Sequence, residues 1–106
     1  MSKLIIVPKD KEAEIALDYD TATPEQVVEL NLTDEEFEKL WEEGVFSLIN
    51  EITNSNIDDF EDEHITDLND ILNAYVELQK TSNGVADLIK MFELAITYKT
   101  SIHFYF

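Results

Sequence analysis

"TDEEFEKLWEEGVFSLINEIT", residues 33–53, carries the strongest periodic signal in the chain. Phe37, Leu40, Trp41, Gly44, Val45, Leu48, Ile49 and Ile52 recur three and four positions apart, the spacing of one helix face, which predicts a helix over 33–53. Thr33 can cap its first turn, and Glu36, three residues on, can bond back to the cap. Asp34, Glu35 and Glu36 also suit the positive end of a helix dipole. Gly44 lies on the apolar stripe, which suggests close approach of a neighbouring element. Trp41 lies on the same stripe and reads as core rather than as a stacking platform.

Working outward, KLIIV at 3–7 is a short apolar run rich in branched side chains, read as a buried strand that Pro8 ends. In AEIALDY, residues 13–19, Ile15, Leu17 and Tyr19 alternate with polar or small residues, which predicts a second strand. The segment 24–32 reads two ways. Thr23-Pro24-Glu25-Gln26 is a helix start with proline at the first position, whereas Val28, Leu30 and Leu32 alternate as in a strand; a strand over 27–32 is favoured. Apolar spacing predicts further helices over about 65–80 and 84–99. The later one is apolar over more than half its girth and reads as the central helix, with Met91, Leu94 and Tyr98 assignable either to core or to an interface. SIHFYF, 101–106, reads as a closing strand beside the first one. The expected fold is α+β: a small, mainly antiparallel sheet with three helices packed on one face, in a single domain spanning 1–106.

The 106 residues hold 44% apolar side chains and no cysteine, so thiolate metal sites and disulfides are excluded. The four-residue apolar run near the N-terminus is too short for a secretory signal, and no run approaches a membrane span. A cytoplasmic location is expected. Charge is the unusual feature. Twenty-four acids face seven lysines and no arginine, for a formal charge of −17. Twenty-one of the acids lie in the two base-free windows between Lys11 and Lys39 and between Lys39 and Lys80. Nucleic-acid binding requires cations to replace phosphate counterions, so direct nucleic-acid and anionic-membrane binding are not expected. A basic partner is.

The densest acid is in "NSNIDDFEDEHITDLND", 54–70, which reads as a loop running into a helix. Asn54, Asn56, Asp58, Phe60 and Asp62 fall on calcium-loop positions, but Asn54 stands where Asp is needed, Asp59 where Gly is needed and Ile65 where the bidentate Glu is needed. No metal or other cofactor is expected. No nucleophile–histidine–carboxylate order, HExxH pair or Gly-rich phosphate loop is present. His64 and His103 are the two histidines; His103 reads as a hydrogen-bonded or solvent-facing strand residue, and acids around His64 favour its charged form.

In size, acidity and lack of catalytic parts the chain resembles inhibitor proteins, among them immunity proteins against nuclease toxins and decoys that mimic DNA. The resemblance is one of composition, without a motif. The expected function is therefore a non-enzymatic inhibitor that neutralises a basic, nucleic-acid-acting protein by filling its cationic groove. The candidate interface is Asp58, Asp59, Glu61, Asp62, Glu63, Asp67 and Asp70, with Phe60 as an aromatic anchor. Glu35, Glu38, Glu42 and Glu43 form a second acidic row. The alternatives are an adaptor that binds a non-basic partner through an apolar groove, and a weak divalent-metal site built from the carboxylates.

Overall fold

The long apolar periodicity of residues 33–53 is broken in space at Gly44. The computed structural model describes residues 3–58, 61–81 and 85–106. In it the single expected helix is two, α2 (Asp34–Glu42) and α3 (Val45–Thr53). Gly44 sits between them at φ +77°, a left-handed backbone that a side chain resists. A Cβ there would meet nothing within 4 Å, so the glycine serves the bend and not a close approach. Thr33 and Glu36 form the expected capping box, with Glu36 N–H donating to Thr33 Oγ at 3.1 Å and Thr33 N–H to Glu36 Oε1 at 2.9 Å.

The remaining elements are β1 (Lys3–Pro8), α1 (Lys11–Asp18), β2 (Val27–Leu32), β3 (Asp62–Ile65), α4 (Leu68–Leu78), α5 (Ala86–Tyr98) and β4 (Ile102–Tyr105). The four strands form one antiparallel sheet in the order β2-β1-β4-β3. The protein is α+β. As expected, the first and last strands are neighbours at the centre, with Ile5 opposite Phe104. Both readings of 24–32 hold in sequence: Pro24–Gln26 is one 3₁₀ turn, closed by Thr23 N–H donating to Gln26 Oε1, and the strand starts at Val27.

Residues 13–19 are not a strand. They lie largely in α1, whose start is capped by Asp10 Oδ1 accepting from Ala13 N–H at 2.7 Å. An alternation of only seven residues also satisfies a helix that buries Ala13 and leaves Ile15 and Tyr19 outside. A strand inside the acidic stretch, β3, went unread because as an edge strand it buries only Ile65.

Strand alternation gives the sheet two distinct faces. Ile5, Val7, Leu32, Ile65, Ile102 and Phe104 point to one core, where Phe46, Ile49, Ile71, Leu78, Leu88 and Phe92 from the helices join them. Helices α2 to α5 cover this face. Met91 is buried, and the partly buried Leu94 and Tyr98 pack against the core, so that face of α5 contributes to the core. The opposite face presents the cross-strand rows Glu29-Ile6-His103-His64 and Asn31-Leu4-Tyr105-Asp62, and α1 crosses part of it. The helices are thus not confined to one face. Trp41, expected in the core, is 43% exposed: it stacks on Phe37 with centroids 5.9 Å apart and shields one side of that ring.

Gly44 gives an unusually sharp check, because the two geometries predict opposite signs. Gly44→Ala should destabilise the protein by about 1–2 kcal/mol in urea unfolding, the cost of a left-handed alanine. In a continuous helix the same change would stabilise by about 1 kcal/mol.

Candidate acidic interface and the histidine relay

The carboxylates of the expected interface divide by the job their oxygens already do. Asp67 caps α4, its Oδ1 accepting from Asn69 N–H at 2.8 Å and Asp70 N–H at 3.2 Å. Glu63 ties down the preceding loop, accepting from Asn56 N–H at 2.6 Å and His64 N–H at 3.1 Å. Asp58 accepts from Glu61 N–H at 3.0 Å, closing a turn, and Asp70 is half-buried in the first turn of α4. Asp58, Glu63 and Asp67 are structural as well as acidic. Glu61 and Asp62 are exposed. Asp59 and the expected anchor Phe60 lie outside the described residues.

The second row is the cleaner surface. Glu35, Glu38, Glu42 and Glu43 are all exposed. Glu35, Glu38 and Glu42 are three and four positions apart on α2, hence on one face and about 5 Å apart along the axis. Glu42 and Glu43 stand at the C-terminal end of the helix, where the dipole disfavours negative charge. Lys39 is the one base in that last turn.

The histidines make a site that spacing alone did not show. They are direct partners across the β3–β4 ladder, with Nδ1 atoms 2.7 Å apart. His103 Nε2 lies 2.7 Å from Ser101 Oγ, and Ser101 Oγ donates to Glu14 Oε2 at 2.5 Å. Glu14 Oε1 accepts from Lys11 at 2.9 Å. Burial pushes the Glu14 carboxyl up, but the Ser101 bond and Lys11 outweigh it and hold it below the ordinary range. Burial, helped by His64, pushes His103 down to about 4.

A neutral His103 sets the direction of each hydrogen bond in the chain. Ser101 gives its proton to the carboxylate, so its oxygen accepts from His103 Nε2–H. His103 Nδ1 is then an acceptor, and His64 Nδ1–H donates to it. The order resembles a nucleophile relay, but Ser101 is fully buried and already donates to Glu14, so no substrate can reach it. The arrangement locks α1 to β4. It realises the hydrogen-bonded reading of His103. The sequence signal was available in principle: a helix over 11–18 puts Glu14 and Asp18 on one face.

Among the described residues no group of three or more His, Cys, Asp or Glu could hold a metal ion, and no helix is long and apolar enough to cross a membrane. What fold and surface define is an acidic α+β protein with a four-stranded antiparallel sheet, helices on both faces and a strongly acidic exterior. No protein-family model matches the sequence, and no curated protein does. A solved structure shares the fold: the Neisseria DNA mimic protein DMP12, with a TM-score of 0.65 and 21% identity over 99% of this chain and 98% of that one.

The depressed His103 has a defined consequence. A folded-state value near 4, below the ordinary 6.5, means the unfolded chain takes up this proton first. The stability from neutral His103 is complete above pH 6.5 and is lost as pH falls from there toward 4. In NMR the His103 ring should stay neutral from pH 8 to 5 and titrate with a midpoint near 4. His103→Gln should flatten its share of the loss of urea stability between pH 6.5 and 5.

Proposed function

We propose that the protein is a non-enzymatic binding protein that occupies the cationic DNA-binding groove of a basic partner and excludes the nucleic acid. The observation that carries this reading is charge: a formal charge of −17 on a molecule of 34 × 30 × 21 Å, with the exposed glutamates Glu35, Glu38 and Glu42 on one face of α2 and Glu43 just beyond them. Such a surface has the sign of charge that a groove built for phosphates is made to receive. That a protein of the same fold is a DNA mimic supports the same assignment.

Glu35, Glu38, Glu42, Glu43, Glu61 and Asp62 are the carboxylates assigned to contact. Asp58, Glu63 and Asp67 add to the field while holding the local backbone, and Asp70 adds to it from the first turn of α4. Charge at the wrong end of α2 costs stability, which is the expected trade where a surface is kept for binding.

A second reading rests on α4. Leu68, Leu72 and Val76 recur at four-residue spacing and are 38%, 45% and 43% exposed, an apolar row suited to an adaptor with a non-basic partner. Salt separates the two readings, because screening at ~1 M reaches only about 3 Å and releases charge-driven partners while leaving apolar ones.

The test uses immobilised protein and lysate of the source organism, loaded at about 0.1 M and eluted at about 1 M salt. A basic DNA-binding protein in the high-salt eluate supports the proposal; a non-basic partner that survives the wash overturns it. Replacing Glu35, Glu38, Glu42 and Glu43 together by Gln should reduce that capture at least tenfold. The same variant should stay within about 1 kcal/mol of the parent, because relief of Glu42 and Glu43 at the C-terminal end offsets the loss of Glu35 from the favourable N-terminal turn. Asp67→Ala should instead cost about 1 kcal/mol through the lost cap.

A further inference from the structure

The face of the sheet that α1 only partly covers holds a pocket of about 720 Å³. Its floor is aromatic. His64 and His103 have ring centroids 4.9 Å apart, and Tyr105 lies 5.7 Å from His64 and 6.4 Å from His103, nearly parallel to the latter at 18°. Asp18 and Asp20 from the end of α1, and Asp62 from β3, line the walls. Ile15 and Tyr19 also line it and are the most exposed large apolar side chains described, at 59% and 73%.

The chemistry of the pocket follows from its carboxylates and rings. His64 Nδ1 faces His103, and His103 Nε2 faces Ser101, so these nitrogens are engaged within the relay and not by a pocket ligand. Asp18, Asp20 and Asp62 are acceptors on the walls. The pocket therefore offers carboxylate acceptors and flat ring faces, and its demand is for a ligand that is donor-rich, cationic and planar. Guanidinium meets all three conditions, with five N–H donors, no acceptor and a plane that stacks on aromatic rings.

The field in the pocket is visible at Tyr105. Burial raises its phenol, and Asp62, Asp20 and Asp18 raise it further, so three carboxylates from two elements converge on one ring. Asp20 is held there by a left-handed turn at φ +57°, closed by Thr21 N–H donating to Ala16 O at 2.8 Å. The described lining contains no lysine to answer these acids.

We infer that this pocket receives an arginine side chain of the basic partner, making it the anchor point of the interface. The inference rests on the proposed function and deepens it. The continuity is physical: Asp62 and His64 belong to the acidic stretch 54–70, so its edge strand forms one wall of the pocket. Tyr19 and Ile15 at the pocket add apolar contact for the stem of that arginine. An arginine fixed between carboxylates and ring faces gives register to an otherwise diffuse charge contact.

The test is an NMR titration at pH 8, where imidazoles are neutral. The probe is N-acetyl-L-arginine amide, with N-acetyl-L-citrulline amide as its uncharged isostere. Expected are saturable shifts centred on Tyr19, Asp62, His64 and Tyr105, with at least tenfold weaker binding of the citrulline probe. Asp20→Asn/Asp62→Asn should weaken the arginine probe at least tenfold and keep the parental melting temperature, since both residues are exposed and Asn accepts the left-handed turn. Equal binding of the citrulline probe, or shifts spread over the α2 glutamates without saturation, overturns the inference. The failures separate cleanly. If the double variant still captures a basic DNA-binding protein in parental yield, the pocket assignment falls and the mimic reading stands. If the probe binds but no basic partner is captured, the guanidinium site stands, and the mimic reading falls together with the partner assigned to the site.

Discussion

Seven lysines cannot answer twenty-four carboxylates, and the rest of the molecule is arranged around that shortfall. Lysines 11, 80 and 90 are each taken up by a glutamate three residues away in sequence, so they do little to join one element to another. Cohesion has to come from apolar burial. The central strand pair β1–β4 provides it: Ile5, Val7, Ile102 and Phe104 are fully buried, and Phe46 and Phe92 close over them from α3 and α5. Self-repulsion works against this core, which is why acids concentrate on helix surfaces and on the edge strand, where water screens them.

The same constraint explains the few polar groups that are buried. Thr100 donates to Pro8 O at 2.7 Å, and Ser101 and His103 sit in the relay ending at Glu14. Both ties run from the approach to β4 back to the first fifth of the chain. The relay fastens α1 to the sheet by one ionised carboxylate with a full set of donors, an economical way to hold a helix that buries only Ala13. With α1 so placed, its acidic C-terminal end faces β3 across a pocket, and the two acidic segments of the chain meet.

Much of the fold was legible where apolar spacing is long or runs are strongly branched. KLIIV, 27–32 and SIHFYF became strands, and both later helices appeared within a few residues of their expected ends. The misreadings share a cause. Residues 13–19 are too short for period two to be told from a helix by pattern, and the cap at Asp10 is what decides. DEHI at 62–65 is an edge strand with one buried side chain, so its pattern is set by a neighbour's backbone rather than by its own residues. Gly44 was seen on the stripe, but its left-handed backbone depends on how α2 and α3 each reach the core. For the site, the charge was plain from composition. The division of acids into caps, loop ties and free surface was not, and the pocket required a topology that brings α1 to β3 and β4.

The most direct measurement is competition. The partner captured at about 0.1 M salt should be released by duplex DNA at low concentration, in proportion to the DNA added, while an equal charge of a non-nucleic polyanion such as polyglutamate releases less. That result places the protein in the groove that DNA uses. Retention of the partner under saturating duplex, with both bound together, contradicts the account and moves the interface to a surface other than the DNA-binding groove.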